Sequence, residues 1–148
     1  MNKLLPLLIN RAETARDRQA ALARDAANAA QQTQATLVRL EDFRGESLDR
    51  SPASLGSHAD AQALGDYQRF VSRLDDAIAM QRQECQRREE RSAAGQQRLI
   101  EEQRKLMAFE TLLRRRAAAA GIKQGRRAQS DADEFAARAA RNHQGRST

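Results

Sequence analysis

The chain has 148 residues, 40% of them hydrophobic, and a formal charge of +6 from 26 basic and 20 acidic side chains. Alanine accounts for 29 residues, whereas Leu, Ile, Val and Phe together number only 25. So few large apolar side chains cannot fill a layered core, and the scarcity of β-branched and aromatic residues excludes an all-β domain. A chain of this length, rich in Ala, Gln, Arg, Glu and Leu, predicts one domain of long helices joined by a thin apolar seam.

A 3,4 spacing of small and apolar residues begins at Leu5 and continues to Phe43. This heptad pattern predicts a coiled-coil helix over about residues 5–46. The positions assigned to its seam are Leu5, Leu8, Ala12, Ala15, Gln19, Leu22, Ala26, Ala29, Thr33, Thr36, Leu40 and Phe43.

Glycine, serine and proline then crowd between Gly45 and Ser57 and predict a loop at about 47–57. Ser57 and Asp60 have the spacing of a capping box, which predicts a second helix from about residue 58 to 120. Whether this helix continues to residue 141 is left open, and we expect its basic C-terminal end to fray. Its seam follows the same steps through Leu64, Tyr67, Val71, Leu74, Ile78, Gln81, Cys85, Arg88, Ser92, Gly95, Leu99, Glu102, Leu106, Phe109, Leu113, Arg116 and Ala120.

Folding the helices back on the loop gives the predicted fold, an all-α, antiparallel two-helix coiled-coil hairpin with an overhanging second helix. Matching the two seams pairs residues whose numbers add up to about 107. The first helix then ends opposite Glu102, and Leu106, Phe109 and Leu113 are left without an intramolecular partner. The diagnostic pairs of this register are Leu22 with Cys85, Gln19 with Arg88, and Ala12 with Gly95.

The positive charge is concentrated at the C-terminal end of the sequence. Residues 1–113 contain 17 basic and 17 acidic side chains, whereas residues 114–148 contain nine basic and three acidic ones. Such a tail suits nucleic acid, anionic lipid or an acidic protein surface, and a solvated helix end is the plain alternative. Phe135 is the only aromatic residue of the tail, so we do not expect nucleic acid as the partner.

The sequence offers no group of side chains typical of catalysis or metal binding. His58 and His143 stand alone in polar surroundings, and Cys85 falls on the predicted seam, where a buried thiol is expected. Motifs for zinc, phosphate and dinucleotide binding are absent. We therefore expect no enzymatic activity and no cofactor. The apolar run at residues 4–9 is too short for a signal peptide or a membrane span, which predicts a cytoplasmic protein.

Several stretches of the chain resemble the flagellar export protein family FliJ. The first comprises DYQRF at residues 66–70, followed by LDDAI at 74–78 and by Gln81, and resembles the NYQxF…LxxAIxxQ pattern of that family's second helix. Later segments of the family are similar to KLMAFETL at 105–112 and DEFAARAA at 133–140. Two departures are Ser47, where an aromatic residue is common, and Asp66, which replaces the usual Asn.

The resemblance implies a central stalk of the flagellar type III export apparatus, located in the cytoplasm and peripheral to the inner membrane at the flagellar base. Its partners would be the hexameric export ATPase, the transmembrane export gate and export chaperones. The family's gate and chaperone surface carries over onto the hairpin tip, at Leu40, Phe43, Phe70, Leu74 and Ala77. In our register Phe70 and Ala77 face outward, while the other three lie in the seam.

By analogy with rotary stalks, the resemblance also implies that the overhang enters the ATPase ring. The residues assigned to that contact are Leu106, Phe109, Leu113, Arg114, Arg115 and Arg116. The stalk of a virulence-type secretion system, a structural coiled-coil spacer and a basic-tailed coiled coil that binds nucleic acid remain the alternative functions.

Overall fold

The structure is a computed structural model that describes residues 3–51 and 61–146. Helix α1 comprises Leu4–Asp49 and helix α2 comprises Ala61–Gln144, which confirms the all-α class, and the described ranges contain no strand. Helix α1 ends slightly later than predicted. The capping box at Ser57 and Asp60, and most of the predicted loop, lie outside the described residues.

Helix α2 has 84 residues and continues well past Ala120. Gly121 and Gly125 do not interrupt it, because one glycine inside a helix costs only about 1 kcal/mol relative to alanine. Neither α1 nor the described part of α2 contains an apolar stretch long enough to span a membrane. The chain divides into two compact units, which within the described residues comprise 14–51 with 61–103, and 3–13 with 104–146.

We call the first unit the paired region, since α1 and α2 pack against each other within it. Its buried cluster comprises Leu37, Leu74, Ile78 and Cys85, and Leu40 packs against this cluster. The α2 residues of the cluster recur at seam spacing, so one stripe of that helix is covered along its length. The predicted α2 seam is confirmed from Tyr67 to Phe109, where every seam position is buried or half-buried.

The seam of α1 differs from the prediction at alternate positions. Leu22 is 53% exposed, whereas Ala23 is only 1% exposed. Likewise Leu37 is buried in place of Thr36. A seam through Leu22 and one through Ala23 both keep the 3.5-residue period, and the prediction used the larger side chain. In the structure the small residue lies in the seam, because the helix backbones approach closely there.

The predicted register is wrong by two to three helical turns. Tyr67 Oη donates to the Ser47 carbonyl at 3.1 Å, and Gln81 Nε2 donates to the Thr33 carbonyl at 2.9 Å, so the paired numbers add up to 114. Gly95 faces Ala23, a pair whose numbers add up to 118, with 3.5 Å between an ideal Cβ built on Gly95 and the Ala23 Cα. The expected layer of small residues at Gly95 therefore exists with Ala23 in place of Ala12, whereas Arg88, which was expected to face Gln19, bonds to Glu84 of its own helix.

The second unit has buried apolar residues only near its α1 segment and the adjoining part of α2. Leu5, Ala12 and Leu106 are buried, and Phe109 is half-buried. Beyond these positions, every described residue from Leu112 to Arg146 is exposed. We call residues 112–146 the exposed segment, since it is helical almost to its end and each of its residues is exposed.

Candidate functional site

Near the ends of the two helices that flank the undescribed residues, Phe43 and Phe70 form an aromatic pair. Their ring centroids are 6.0 Å apart and the ring planes meet at 85°, an edge-to-face arrangement. Such a pair contributes roughly 0.5–1.5 kcal/mol beyond the area that it buries. Nevertheless Phe43 remains 49% exposed and Phe70 42% exposed, so the pair presents apolar surface to solvent.

The other sequence-predicted tip residues divide into buried and accessible ones. Leu74 is buried in the apolar cluster and Leu40 is half-buried against it, as expected for seam residues. Ala77 is exposed and follows Phe70 by two helical turns, so the two share one face of α2. The prediction that Phe43 lies in the seam is wrong, because the seam passes through Arg44, which is half-buried.

Charged side chains connect the two helices beside this face. Arg44 Nε lies 2.5 Å from Asp75 Oδ1, and Arg82 Nη2 lies 3.2 Å from Glu41 Oε1. The hydrogen bond from Arg44 lowers the pKa of Asp75 below its ordinary value. These links hold the two helices in register next to the aromatic pair, although each is largely open to solvent and therefore weak.

The inference that Leu106 lacks an intramolecular partner is wrong, since this residue is only 4% exposed. Phe109 is also partly covered, and Leu113 alone of the three predicted apolar residues is as accessible as expected. The shift in register explains the difference, because it lets α1 cover more of α2. Exposed apolar surface also lies on a neighbouring face at Met107 and Leu112, which the sequence analysis missed although both residues lie off the predicted seam of α2.

This neighbouring face forms a shallow surface depression bordered by arginines. It is lined by Arg104, Met107, Ala108, Thr111, Leu112 and Arg115. The mixture of flexible apolar side chains with flanking guanidinium groups suits an apolar protein surface that carries carboxylates nearby.

Residues 114–127, which we call the basic segment, contain six basic side chains and no acidic one. Arg114, Arg115 and Arg116 are consecutive, and since neighbours in a helix are about 100° apart, they cover roughly 200° of its circumference. Arg114 Nη2 donates to Thr111 Oγ1 at 3.2 Å, whereas Arg115 and Arg116 have no ion-pair partner among the described residues.

Few of the described side chains are suited to metal binding or to nucleophilic chemistry. No group of three or more His, Cys, Asp or Glu side chains that could hold a metal ion occurs there. Cys85 is buried, and burial with the nearby carboxylates of Glu89 and Glu84 raises the pKa of its thiol. The neutral thiol is a poor nucleophile, so Cys85 serves as a core residue. The accessible features are thus an aromatic face and a basic helix, both suited to binding other macromolecules.

Comparison with known proteins agrees with this picture. A family model described as Flagellar FliJ protein matches residues 1–145. A search of curated proteins finds no matching sequence. Because the family match covers nearly the whole chain, the protein belongs to the FliJ family, a non-catalytic component of the flagellar export apparatus.

Proposed function

We propose that this chain is the central stalk of the flagellar type III export apparatus and that it promotes assembly and activity of the hexameric export ATPase. It acts in the cytoplasm at the flagellar base and has no catalytic role of its own. The observation that carries this proposal is a helical segment of 35 residues, 112–146, exposed throughout and carrying most of the net positive charge.

The arginine triplet at 114–116 is suited to a partner that surrounds the helix. Its three guanidinium groups project in different directions, so a ring with acidic loops can meet them from several sides at once. Met107, Leu112 and Leu113 provide exposed apolar surface next to the triplet. Leu106 and Phe109 were also assigned to this contact, but Leu106 is buried and Phe109 half-buried, so they offer a partner less apolar surface.

The test is ATP hydrolysis by the export ATPase of the same organism, measured against stalk concentration at low and moderate salt. We expect saturable stimulation at fewer than one stalk per ATPase subunit, weakened by salt because the guiding charges are exposed. Replacing the triplet by Arg114→Glu, Arg115→Glu and Arg116→Glu should abolish stimulation at low salt.

A matched control carries the same change of net charge in the paired region, where basic and acidic residues are balanced. It consists of Arg24→Glu, Arg39→Glu and Arg98→Glu, all at exposed positions. This variant should stimulate the ATPase nearly as well as the unchanged chain. Equal loss in both variants would mean that only net charge matters, and no stimulation by the unchanged chain would favour a structural spacer.

We further propose that the face formed by Phe43, Phe70 and Ala77 binds the export gate and export chaperones. An exposed aromatic pair buries a large apolar area when a partner covers it, which is typical of binding hot spots. Leu40 and Leu74 support this face from beneath, since both pack in the seam.

Phe70→Ala tests this second contact. We expect gate or chaperone binding to weaken by about tenfold or more, as for a hot-spot residue. Phe135→Ala is the matched control, because Phe135 is also exposed and also in α2. Circular dichroism should be unchanged for both variants. Loss of helicity in Phe70→Ala would identify Phe70 as a packing residue and remove it from the binding face.

A further inference from the structure

The basic segment carries its charge mainly on one side of the helix. At about 100° per residue, Arg115, Arg116, Lys123, Arg126 and Arg127 fall within an arc of roughly 120°. We call these five residues the basic face. All five are exposed, and none has an ion-pair partner among the described residues.

The opposite side of the same helix carries Arg114 at its start and small residues after it. Ala118, Gly121, Gly125 and Ala128 lie there, and a Cβ built on either glycine would meet nothing within 4 Å. Beyond Arg116 the basic segment is thus charged on one side and carries no charge on the other. A continuous helix spaces its charges rigidly, so the five cations span roughly 18 Å along one line.

We propose that the basic face binds an anionic lipid bilayer directly, which gives this chain a membrane contact of its own. A flat anionic surface meets all five cations from one side, and each basic residue near such a surface adds to the attraction. Exposed Ile122 lies at the edge of the basic face, where its side chain can reach the boundary between headgroups and acyl chains.

Features of the basic segment favour a bilayer over nucleic acid. It contains no aromatic side chain on which unpaired bases could stack. Helices that enter a DNA groove are usually oriented by a second element that contacts the backbone, whereas every residue of the basic segment is exposed. A membrane surface needs no such second element.

The experiment is co-sedimentation of the full chain with vesicles at low salt, without the export ATPase. One set of vesicles is phosphatidylcholine, and the other contains two parts of phosphatidylcholine to one part of phosphatidylglycerol. We expect binding to the anionic vesicles only, and weaker binding as salt is added, because exposed charges are screened.

The decisive variant is Lys123→Gln, Arg126→Gln and Arg127→Gln, which leaves the arginine triplet intact. Its partition onto anionic vesicles should fall about 100-fold, the effect of removing three basic residues from an anionic surface. Glutamine is a good helix former, so circular dichroism should not change. The matched control, Arg24→Gln, Arg39→Gln and Arg98→Gln, removes the same charge from the paired region and should bind nearly as the unchanged chain does.

Three results would overturn the assignment. They are equal loss in both variants, equal binding to both kinds of vesicle, and tight binding to duplex DNA or RNA with none to vesicles. Failure of vesicle binding can be distinguished from failure of the stalk function, since ATPase stimulation is measured without lipid and depends on the arginine triplet.

Discussion

In the paired region, charged side chains bridge the two helices, as Arg44 does to Asp75 and Arg82 to Glu41. In the exposed segment, the basic face has no ion-pair partner among the described residues, and the ion pair between Arg138 and Glu134 is long at 4.0 Å. Helix α2 therefore continues from a region in which its side chains contact α1 to a region in which its side chains are exposed. Surfaces left open in this way are available to other molecules, whereas the paired region fixes how the helices align.

The largest expected effect concerns the register of the paired region. A Cβ built on Gly95 lies 3.8 Å from the Ala23 Cβ, a separation typical of a disulfide. With Cys85→Ala in the background, Ala23→Cys with Gly95→Cys should oxidise readily and stabilise the fold by about 4 kcal/mol, measured as a rise in the denaturation midpoint.

The comparison for this crosslink is Leu22→Cys with the native Cys85, the pair that the sequence-based register brings together. Leu22 is exposed and Cys85 is buried, so this pair should stay reduced under the same oxidant. Rapid crosslinking of Leu22→Cys to Cys85, with none between positions 23 and 95, would restore the original register.

The second effect compares one residue type in the two regions. Ile78 is buried in the apolar cluster, so Ile78→Ala should lower the free energy of unfolding by about 2–3 kcal/mol. Ile122 is 58% exposed, and Ile122→Ala should change it by less than about 0.5 kcal/mol. Urea denaturation followed by circular dichroism measures both, and a large cost at Ile122 would reveal packing on the exposed segment.

Glycines sharpen the same contrast. Gly95 lies against the Ala23 backbone, so Gly95→Leu should push the helices apart and destabilise the fold by about 1–3 kcal/mol. Gly125 has open space around it, and Gly125→Leu should stabilise the helix by roughly 0.5–1 kcal/mol through helix propensity. Thermal unfolding of the two variants should shift in opposite directions, and shifts of one sign would contradict the close approach at Gly95.

The smallest effect is the pH dependence of the Arg44–Asp75 link. The pKa of Asp75 is lowered in the folded state, so the link stabilises the fold above the unfolded pKa of about 3.9. This stability is lost as the pH falls through the folded pKa. Asp75→Asn should therefore lower the Tm slightly at neutral pH and not in acid.

Asp131→Asn in the exposed segment provides the control for this measurement. It should leave the Tm unchanged at either pH, because Asp131 has no ion-pair partner among the described residues, unlike Asp75. A Tm difference between the unchanged chain and Asp75→Asn that persists in strong acid would show that packing, and not the charge pair, is responsible.

Sequence periodicity predicted the covered stripe of α2 well because large side chains mark it. Leu74, Ile78 and Leu106 stand at seam spacing and are buried. The seam of α1 is harder to assign from the sequence, since alanines occupy so many of its positions that apolar character does not distinguish the seam from its neighbours. The outward orientation of Phe70 followed from the α2 pattern, whereas the exposure of Phe43 depended on the phase of α1.

By itself the sequence determined the helical class, the basic C-terminal end and the face that α2 buries, because these depend on composition and on a period within one helix. Tertiary structure alone decided the register and, with it, the burial of Leu106 and the pairing of Phe43 with Phe70. The physical reason is that a heptad pattern repeats, so it specifies which side of a helix is covered and admits several axial alignments. The close approach of Gly95 to Ala23, together with the polar links between the helices, selects one of these alignments.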